Sequence, residues 1–221
     1  MKVIISGYGK MGHMIEKVLE RRGIELALAT EDVCSVDPAL AKECVCIDFT
    51  TPEAFRANYP FLAGNFKAVV VGTTGWNDIA EEVKARFVAE GTPMIYSSNY
   101  SIGVNAVFAA LERVSSILKG NGYHPHIEET HHIHKLDAPS GTAKTMAMIV
   151  GENLGTAPDI TSYRTGEVPG THITEFKSDV DRIVITHEAF SREGFAEGAV
   201  VAALMTEGLQ GVHTFNELIL K

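Results

Sequence analysis

A cluster of titratable side chains falls within seven residues of this chain: His131, His132, His134, Lys135 and Asp137. An imidazole has an ordinary pKa of about 6.5, so it can accept and donate protons near neutral pH. The lysine ammonium adds a positive charge with three hydrogen-bond donors. The segment is therefore suited to hold a small anion and to give it a proton.

The residues after this cluster predict a helix whose first turn binds an anion. Pro139 and Ser140 are helix-start signals, the apolar residues over 143–154 have helical spacing, and Gly155 is a stop signal. Backbone N–H groups at Ser140, Gly141 and Thr142 would lack partners inside the helix and would bind an anion, assisted by the helix dipole. A small anionic substrate that needs a proton would fit here.

A glycine-rich turn near the start of the chain predicts a dinucleotide site. A β-branched run over 2–6 is followed by Gly7, Gly9 and Gly12 in G-x-G-x-x-G spacing, and then by apolar residues at helical spacing. Gly7 permits the tight turn, Gly9 lets the backbone approach a pyrophosphate, and Gly12 lets the helix pack on the strand. The alternative is a plain strand-to-helix turn.

An acidic pair follows the second predicted strand, residues 25–30. Glu31 and Asp32 lie where a carboxylate binds the adenosine ribose hydroxyls in dinucleotide-binding folds. Either residue could equally be part of a solvated acidic loop. No arginine follows directly to bind a 2′-phosphate, although Lys10 could contribute from the first turn. NADH and NADPH both remain candidate cofactors.

Strands and helices alternate over the first hundred residues, which predicts an α/β fold of the Rossmann type, a doubly wound parallel sheet. The run over 68–71 is continuously apolar, as in a strand covered on both faces. A second Gly/Thr turn over 72–75 follows it, and residues 97–100 leave the fifth predicted strand. Such sheets bind ligands at these carboxyl ends.

Beyond residue 100 the pattern changes and predicts a smaller α+β part. We expect a long helix over 104–119, a strand over 126–130 that delivers the histidine cluster, and another strand over 182–189. Residues 156–181 are rich in Gly, Pro, Thr and charge with little periodicity, which predicts a long functional loop. We expect a helix over 199–205 and an apolar segment at the chain end.

Composition excludes several classes of function. The 221 residues carry a formal net charge of −9, which argues against a nucleic-acid partner because such proteins use a basic face. No apolar run approaches the roughly 20 residues of a membrane span. No signal peptide is visible, so we expect a cytoplasmic protein with no membrane partner.

The three cysteines, Cys34, Cys44 and Cys46, do not form a full disulfide set, and an odd number is typical of a reducing cytosol. They lack the paired C-x-x-C spacing of a zinc site, and we expect no bound metal. Cys44 and Cys46 alternate with Val45 and Ile47, which indicates a buried strand.

Five segments together resemble the dihydrodipicolinate reductase family, the 4-hydroxy-tetrahydrodipicolinate reductases of lysine and diaminopimelate biosynthesis. They lie at 7–12, 48–53, 72–75, 98–105 and 129–143, in the order found in the family. The resemblance covers nearly the whole chain, and the string H-H-x-x-K-x-D-A-P-S-G-T is very specific to this family.

The resemblance implies NAD(P)H-dependent reduction of a cyclic dicarboxylate imine to tetrahydrodipicolinate. It implies that His131 is the general acid/base and that Lys135 is a proton donor or carboxylate anchor. It also implies substrate contacts from His132 and from the turn that contains Ser140, Gly141 and Thr142. Negative charge builds on the conjugated nitrogen when hydride adds, so a proton must be supplied. We expect Lys135 to disfavour the charged form of His131 and the substrate carboxylates to favour it, so that His131 gains its proton when substrate binds.

The resemblance further implies a dinucleotide-binding domain over 1–101 and 198–221, and a substrate-binding and oligomerisation domain over 102–197 whose sheet assembles a homotetramer. The implied cofactor-binding residues lie in the two glycine turns, after the second strand and after the fifth: Gly7, Tyr8, Gly9, Lys10, Met11, Gly12, Glu31, Gly72, Thr73, Thr74, Ser97, Ser98, Asn99 and Tyr100.

Three departures from the family pattern stand out. The first glycine loop is one residue shorter than the commoner G-x-x-G-R-M-G form, and Lys10 replaces its arginine. The region 33–43 lacks the longer connection found in relatives. The stretch 169–185 lacks a strand pair of longer members, which bears on the size of the tetramer sheet.

Other polar residues receive a structural interpretation. We expect Asp137 to orient Lys135 or cap the helix, and Arg164 to be a surface loop arginine in preference to a third carboxylate anchor. The histidines outside the cluster are interpreted as structural: His13, His124, His172, His187 and His213. Three large apolar side chains are interpreted as packing residues: Trp76, Met146 and Met148.

Two rival functions use the same residues. A zinc hydrolase would bind its metal through His131, His132 and His134, although adjacent histidines point to opposite sides of a strand. A non-catalytic NAD(P)-binding sensor would keep the fold without needing a proton donor. The intact histidine–lysine string argues against the sensor.

Overall fold

The computed structural model describes residues 1–220, which fall into two compact units. The first unit comprises Met1–Ser101 together with the residues from Phe195 onward, and the second comprises Ile102–Gly194. The family resemblance implied a return to the first unit at residue 198. In the structure this return lies at 195, inside a helix that begins at Glu193.

The sheet of the first unit is wholly parallel and has the strand order β10-β5-β4-β3-β1-β2. Its strands are β1 (Lys2–Ser6), β2 (Glu25–Thr30), β3 (Cys44–Asp48), β4 (Ala68–Val71), β5 (Met94–Tyr96) and β10 (Val212–Thr214). β3 and β4 are buried along their whole length, as expected for central strands covered on both faces. The predicted Rossmann-type parallel sheet is confirmed.

Helices cover both faces of this sheet and form two separate apolar clusters with it. They are α1 (Lys10–Arg21), α2 (Pro38–Ala41), α3 (Pro52–Asn65), α4 (Ala80–Glu90), α7 (Glu193–Met205) and α8 (Phe215–Ile219), with 3₁₀ turns at Val33–Ser35 and Asn77–Ile79. The helix ends follow local signals. The Thr51 hydroxyl accepts a hydrogen bond from Ala54 N–H at the start of α3, and Gly91 ends α4 in the left-handed conformation.

The second unit is an α+β arrangement, as predicted. Its mixed sheet has the order β7-β6-β8-β9, with β6 parallel to β7 and the other neighbours antiparallel. The elements are α5 (Ile102–Leu118), β6 (His124–His131), α6 (Gly141–Leu154), β7 (Asp159–Arg164), β8 (Gly170–Lys177) and β9 (Arg182–Ala189). Ile127 and Phe176 on the sheet belong to one buried cluster with Leu111 of α5 and Met146 of α6. One face of the sheet is therefore covered by the two helices.

The interpretation of 156–181 as a long loop is wrong, because β7 and β8 lie within it. The stretch 169–185 contains β8 and the start of β9, which form an antiparallel pair. The loss of a further strand pair relative to longer members stays a prediction. The sequence of β8 does not alternate between apolar and polar residues, although its side chains alternate between buried and partly exposed positions. The reason is that two of its buried residues, His172 and Thr174, are polar.

The structure shows whether the cysteines, Trp76 and the methionines that were predicted to be buried lie in the core. Cys44 and Cys46 are buried in β3, and Trp76 packs against Phe55, all as predicted. Met148 was expected in the core but is 55% exposed. It lies two residues from buried Met146, and positions two apart face different sides of a helix. In the described residues 1–220, no helix is both long and apolar enough to cross a membrane.

Candidate active site

Strand β6 carries two buried polar side chains, Glu129 and His131, onto the face that α5 and α6 cover. Side chains of a strand alternate between its faces, so residues two apart share one side. Glu129 is fully buried and His131 is 8% exposed. A buried charge requires partners, and both residues have them.

Glu129 lies at the centre of the site. One carboxylate oxygen, Oε1, accepts hydrogen bonds from Arg164 Nη2 at 2.9 Å and from the Ser140 N–H at 3.3 Å. The other carboxylate oxygen, Oε2, is hydrogen-bonded to Nδ1 of His131. Burial raises the pKa of Glu129, but hydrogen bonds from Arg164, Ser162 and His131 outweigh it, and the net pKa is below its ordinary value. The carboxyl group is therefore ionised.

No role was predicted for Glu129, although this residue begins the family-like segment over 129–143. A local signal was present, because Glu129 lies in the predicted strand over 126–130 and His131 follows two residues later. Its partners Arg164 and Ser140 are 35 and 11 residues away along the chain. Local spacing therefore indicated the shared face but not the interaction.

His131 is the titratable group that this carboxylate holds. Burial lowers its pKa, the bond with Glu129 opposes that effect, and the charges of Lys135 and Arg164 lower the pKa further. The net pKa lies below the ordinary value, so the imidazole is neutral at pH 7. Nε2 of His131 lies against Gly170, where a Cβ atom would come within 3.0 Å of it.

Lys135 and Asp137 form an ion pair, with 2.7 Å between Nζ and Oδ1. The pair agrees with the expectation that Asp137 orients Lys135, and the hydrogen bond from Lys135 lowers the pKa of Asp137. The alternative, that Asp137 caps the helix, is wrong because Ser140 is the N-cap of α6.

The expectation for Arg164 is wrong. It ends strand β7 with its side chain only 19% exposed, and it is not a surface loop residue. Besides Glu129, its guanidinium donates to the backbone carbonyls of Lys135 at 3.3 Å and Asp137 at 2.5 Å. These bonds fasten the segment that carries Lys135 to the sheet.

Some hydrogen-bonding groups at the start of α6 already have partners within the protein. The Ser140 hydroxyl accepts a hydrogen bond from Ala143 N–H at 3.2 Å, and the Ser140 N–H donates to Glu129. The expectation that the Ser140 N–H binds an external anion is therefore wrong. Gly141 is exposed, with no atom within 4 Å of the position of a Cβ, so a ligand can approach its backbone.

Two histidines interpreted as structural lie beside this group. His172 of β8 is directly opposite Glu129 in the sheet, and His187 of β9 is opposite His172. The rings of His131 and His172 are 5.1 Å apart, and His172 Nε2 is 3.2 Å from Ser140 Oγ. Burial, with a smaller contribution from His131, lowers the pKa of His172 to about 4.

His132 takes a different direction from its neighbour. Its Nε2 accepts a hydrogen bond from Arg192 at 3.3 Å, and its ring lies 6.0 Å from that of His134. His134 is exposed and lies 3.1 Å from Glu167. The three histidines of the proposed zinc hydrolase therefore do not converge.

A different group has the residue types of a metal site. Ligand atoms of Glu129, His131 and His172 all lie within 4.8 Å of one another. Both oxygens of Glu129 already have partners, and one partner is the Arg164 guanidinium. A cation would have to displace these bonds beside a fixed positive charge, so the group fits a proton-exchange site better than a metal site.

The first glycine turn leaves β1 where the strand order reverses, since β1 has β2 on one side and β3 on the other. Gly7 has a φ of +88°, and a side chain there would collide with the Phe49 carbonyl. Gly9 is exposed with open space at its Cβ position. The turn is therefore tight at Gly7 and leaves the backbone of Gly9 accessible to a ligand. Glu31 Oε1 accepts a hydrogen bond from the Tyr8 N–H at 2.6 Å, which holds this carboxylate beside the turn.

The second Gly/Thr turn is held by buried Asp48, whose pKa burial raises. Thr73 Oγ1 donates to Asp48 at 2.6 Å and accepts from the Thr50 N–H at 2.7 Å. The side chain of Thr73 is thus committed to this network, whereas Thr74 is exposed.

The segment after β5 contains one correction. Tyr100 is 2% exposed, and its hydroxyl lies 2.9 Å from the Val71 carbonyl and 3.0 Å from the Ile95 carbonyl. Its ring belongs to the core, so its side chain does not bind cofactor. Ser97 and Asn99 hydrogen-bond each other in the turn, and Ser98 is exposed.

The chain matches two family models that together span its length. The model described as "Dihydrodipicolinate reductase, N-terminus" matches residues 1–100, and "Dihydrodipicolinate reductase, C-terminus" matches 103–219. A 4-hydroxy-tetrahydrodipicolinate reductase of Christiangramia forsetii is 37% identical over 235 residues, covering 99% of this chain and 98% of the relative. One from Akkermansia muciniphila is 34% identical, with 99% and 98% covered.

A solved structure supports the fold. The dipicolinate-bound dihydrodipicolinate reductase from Paenisporosarcina sp. TG-14 superposes with a TM-score of 0.81 at 18% identity, covering 98% of each chain. Because family matches span both halves and relatives exceed 30% identity over nearly the full length, this chain belongs to the dihydrodipicolinate reductase family.

Proposed function

We propose that the chain catalyses the NAD(P)H-dependent reduction of a cyclic dicarboxylate imine to tetrahydrodipicolinate, a step of lysine and diaminopimelate biosynthesis. The substrate is 4-hydroxy-tetrahydrodipicolinate, whose 4-hydroxyl leaves as water to give dihydrodipicolinate, the conjugated ring that accepts the hydride. The observation that carries the proposal is the buried Glu129–His131 pair within the family-specific segment. The start of α6 is hydrogen-bonded to the same carboxylate, and the Lys135 backbone is hydrogen-bonded to Arg164, another partner of that carboxylate. A non-catalytic sensor has no use for an imidazole held in this way.

His131 is the proposed proton donor. It is neutral without substrate because burial and the charges of Lys135 and Arg164 lower its pKa. Two substrate carboxylates would add negative charge nearby, which favours the protonated imidazole. His131 then gives that proton to the substrate ring as negative charge builds on the conjugated nitrogen.

Two carboxylates require two anchors. Lys135 with His132 is the first proposed anchor, and the α6 start is the second, through the hydroxyl of Ser140, the backbone of Gly141 and Thr142. Lys135 is 23% exposed and already held by Asp137, so its ammonium needs little reorganisation to bind an anion.

A nicotinamide cofactor supplies the hydride when it is bound. We propose that the first turn (Gly7, Tyr8, Gly9, Lys10, Met11 and Gly12) receives the pyrophosphate and that Glu31 binds the ribose hydroxyls. We propose further contacts from the turns after β4 and β5: Gly72, Thr73, Thr74, Ser97, Ser98, Asn99 and Tyr100, with Thr73 and Tyr100 limited to their backbone. Both NADH and NADPH are proposed as cofactors.

We also propose a cytoplasmic homotetramer assembled through the sheet of residues 102–194. The sheet face away from α5 and α6 carries exposed apolar side chains, with Tyr163 48% and Val184 45% exposed. Light scattering coupled to gel filtration tests the tetramer. A monomer at micromolar concentration would contradict it.

One assay tests the central proposal. Oxidation of NADH and of NADPH is followed side by side with the product of dihydrodipicolinate synthase as substrate, using wild type and His131→Ala. We expect oxidation that depends on both substrate and His131. Cofactor binding without any oxidation would contradict reductase activity and favour the sensor.

A further inference from the structure

Three parts of the proposed site converge on one buried ion pair, Glu129–Arg164. His131 contacts it through Nδ1, and the Ser140 N–H contacts it through Oε1 of the carboxylate. Arg164 in turn holds the backbone carbonyl of Asp137. Neither Glu129 nor Arg164 is among the residues proposed to touch substrate or cofactor.

We propose that Glu129, held by Arg164, is the positioning residue that presents Nε2 of His131 as the proton-exchanging atom and keeps the Lys135 segment and the α6 start in register with it. This inference rests on the proposed reductase function, because His131 is the proton donor only there.

The tautomer follows from the charge of Glu129. An ionised carboxylate only accepts hydrogen bonds, so the Nδ1–H of His131 donates to Oε2. The lone pair of the neutral ring, or the second proton of the charged ring, is then on Nε2. Nε2 lies against Gly170, which has no side chain to cover it.

Arg164 fixes the carboxylate through the geometry of its guanidinium. Nη2 bonds both Glu129 Oε1 at 2.9 Å and the Asp137 carbonyl at 2.5 Å, while Nε bonds the Lys135 carbonyl at 3.3 Å. A planar fork with several donors can hold a strand and a loop together, and a lysine ammonium cannot reproduce that arrangement. Arg164 therefore sets the position of the Lys135 backbone relative to His131.

The electrostatic surroundings of His131 come from several elements. Glu129 faces it from β6, Arg164 from β7, His172 from β8 and Lys135 from the loop after β6. Glu129 is the negative group in this set. Removing its charge leaves the positive groups unopposed, so protonated His131 becomes less stable.

The first test replaces Glu129→Gln, which keeps the shape and removes the charge. In protein labelled with ¹⁵N-histidine, we expect wild-type His131 to show the Nδ1–H tautomer and the variant to show a mixture. We expect kcat to fall about 10- to 100-fold, by analogy with the loss of partners that orient metal-bound imidazoles. The limb of the pH–rate profile that reports protonated His131 should move to lower pH.

The matched control is Glu152→Gln, which removes a carboxylate from an exposed position on α6 of the same unit. It should keep the wild-type tautomer, kcat and pH profile. If Glu129→Gln retains the wild-type tautomer and the wild-type pH limb, the positioning role is wrong, even if the protein is less stable.

Arg164→Lys provides a second route to the same result, particularly if Glu129→Gln does not fold. It keeps the positive charge and loses the fork, so we expect a lower kcat and a mixed His131 tautomer. Arg113→Lys, at an exposed position on α5, is its control. Both substitutions disrupt the same Glu129–Arg164 pair. The fold-loss in kcat of the double variant should therefore be smaller than the product of the fold-losses of the two single variants. Fully multiplicative losses would contradict a shared role.

The two proposals fail in different ways. Wild-type protein that oxidises no cofactor with the substrate would overturn the reductase function, while the ¹⁵N signals would still report whether Glu129 sets the His131 tautomer. An active wild type with an unchanged tautomer in Glu129→Gln would overturn only the positioning role.

Discussion

His172 Nε2 lies 3.2 Å from Ser140 Oγ, and Nδ1 of His172 has no hydrogen-bond partner among residues 1–220. A buried N–H without an acceptor is rarer in proteins than a buried acceptor without a donor. The proton of neutral His172 is therefore on Nε2 and is donated to Ser140. Because Ser140 Oγ also accepts from Ala143 N–H, its own hydroxyl proton points away from both of these donors.

The neutral state of His172 predicts acid sensitivity. Its pKa is about 4 in the folded chain against an ordinary value of 6.5, so the unfolded chain binds the extra proton first as pH falls. Stability due to this group is present above pH 6.5 and is lost between about pH 6.5 and 4. At about 1.4 kcal/mol for each pKa unit, the loss is about 3 kcal/mol. Urea unfolding across this range should show a shallower pH dependence in His172→Gln, and an unchanged slope would contradict the prediction.

His131→Ala should lower kcat by about 10²- to 10⁴-fold, the usual contribution of a general acid. It should also abolish the limb of the pH–rate profile that reports the imidazole. The exposed His124→Ala is the control and should keep both limbs. An unchanged bell-shaped profile in His131→Ala would assign the acid role to another group.

Lys135→Ala should raise KM and lower kcat together, because the ammonium is expected both to anchor a carboxylate and to stabilise charge in the transition state. Lys177→Ala removes an exposed lysine from the end of β8 and serves as the control. Initial rates over a range of substrate concentrations separate the two constants. If neither changes in Lys135→Ala, the lysine has no part in the reaction.

Gly9→Ala should fold normally yet bind cofactor poorly. A Cβ at Gly9 meets no atom within 4 Å, so the added methyl group would cover only the surface proposed for the pyrophosphate. Gly7→Ala should instead destabilise the fold, by about 1–3 kcal/mol for the strained positive φ and more for the collision with Phe49. Thermal melting and NADH titration compare the two. Unimpaired NADH binding by Gly9→Ala would place the pyrophosphate elsewhere.

Tyr100→Phe should cost about 1–2 kcal/mol of stability, because it removes a buried hydroxyl that bonds the carbonyls of Val71 and Ile95. The dissociation constant for NADH should stay within about twofold of wild type, since the ring lies in the core. A large rise in that dissociation constant without loss of stability would indicate that the Tyr100 side chain does contact the cofactor.

Local signals predicted much of the fold. The strands β1, β2, β4 and β9 have the predicted bounds. Among the predicted start and stop signals of α6, Ser140 occupies the N-cap and Gly155 the C-cap, while Pro139 lies before the helix. Hydrophobic periodicity and caps act within a few residues, so a single sequence carries them. β10 has three residues, all partly exposed, and its pattern is too short to detect.

The sequence by itself determined the chemistry available to this protein: a glycine turn for a dinucleotide, and histidines beside a lysine and a helix start. Only the tertiary structure decided which groups share one buried site. Glu129, Arg164 and His172 come from three different strands, and strand register brings them together. Register depends on packing between residues far apart in the chain, and no spacing within one segment reports it.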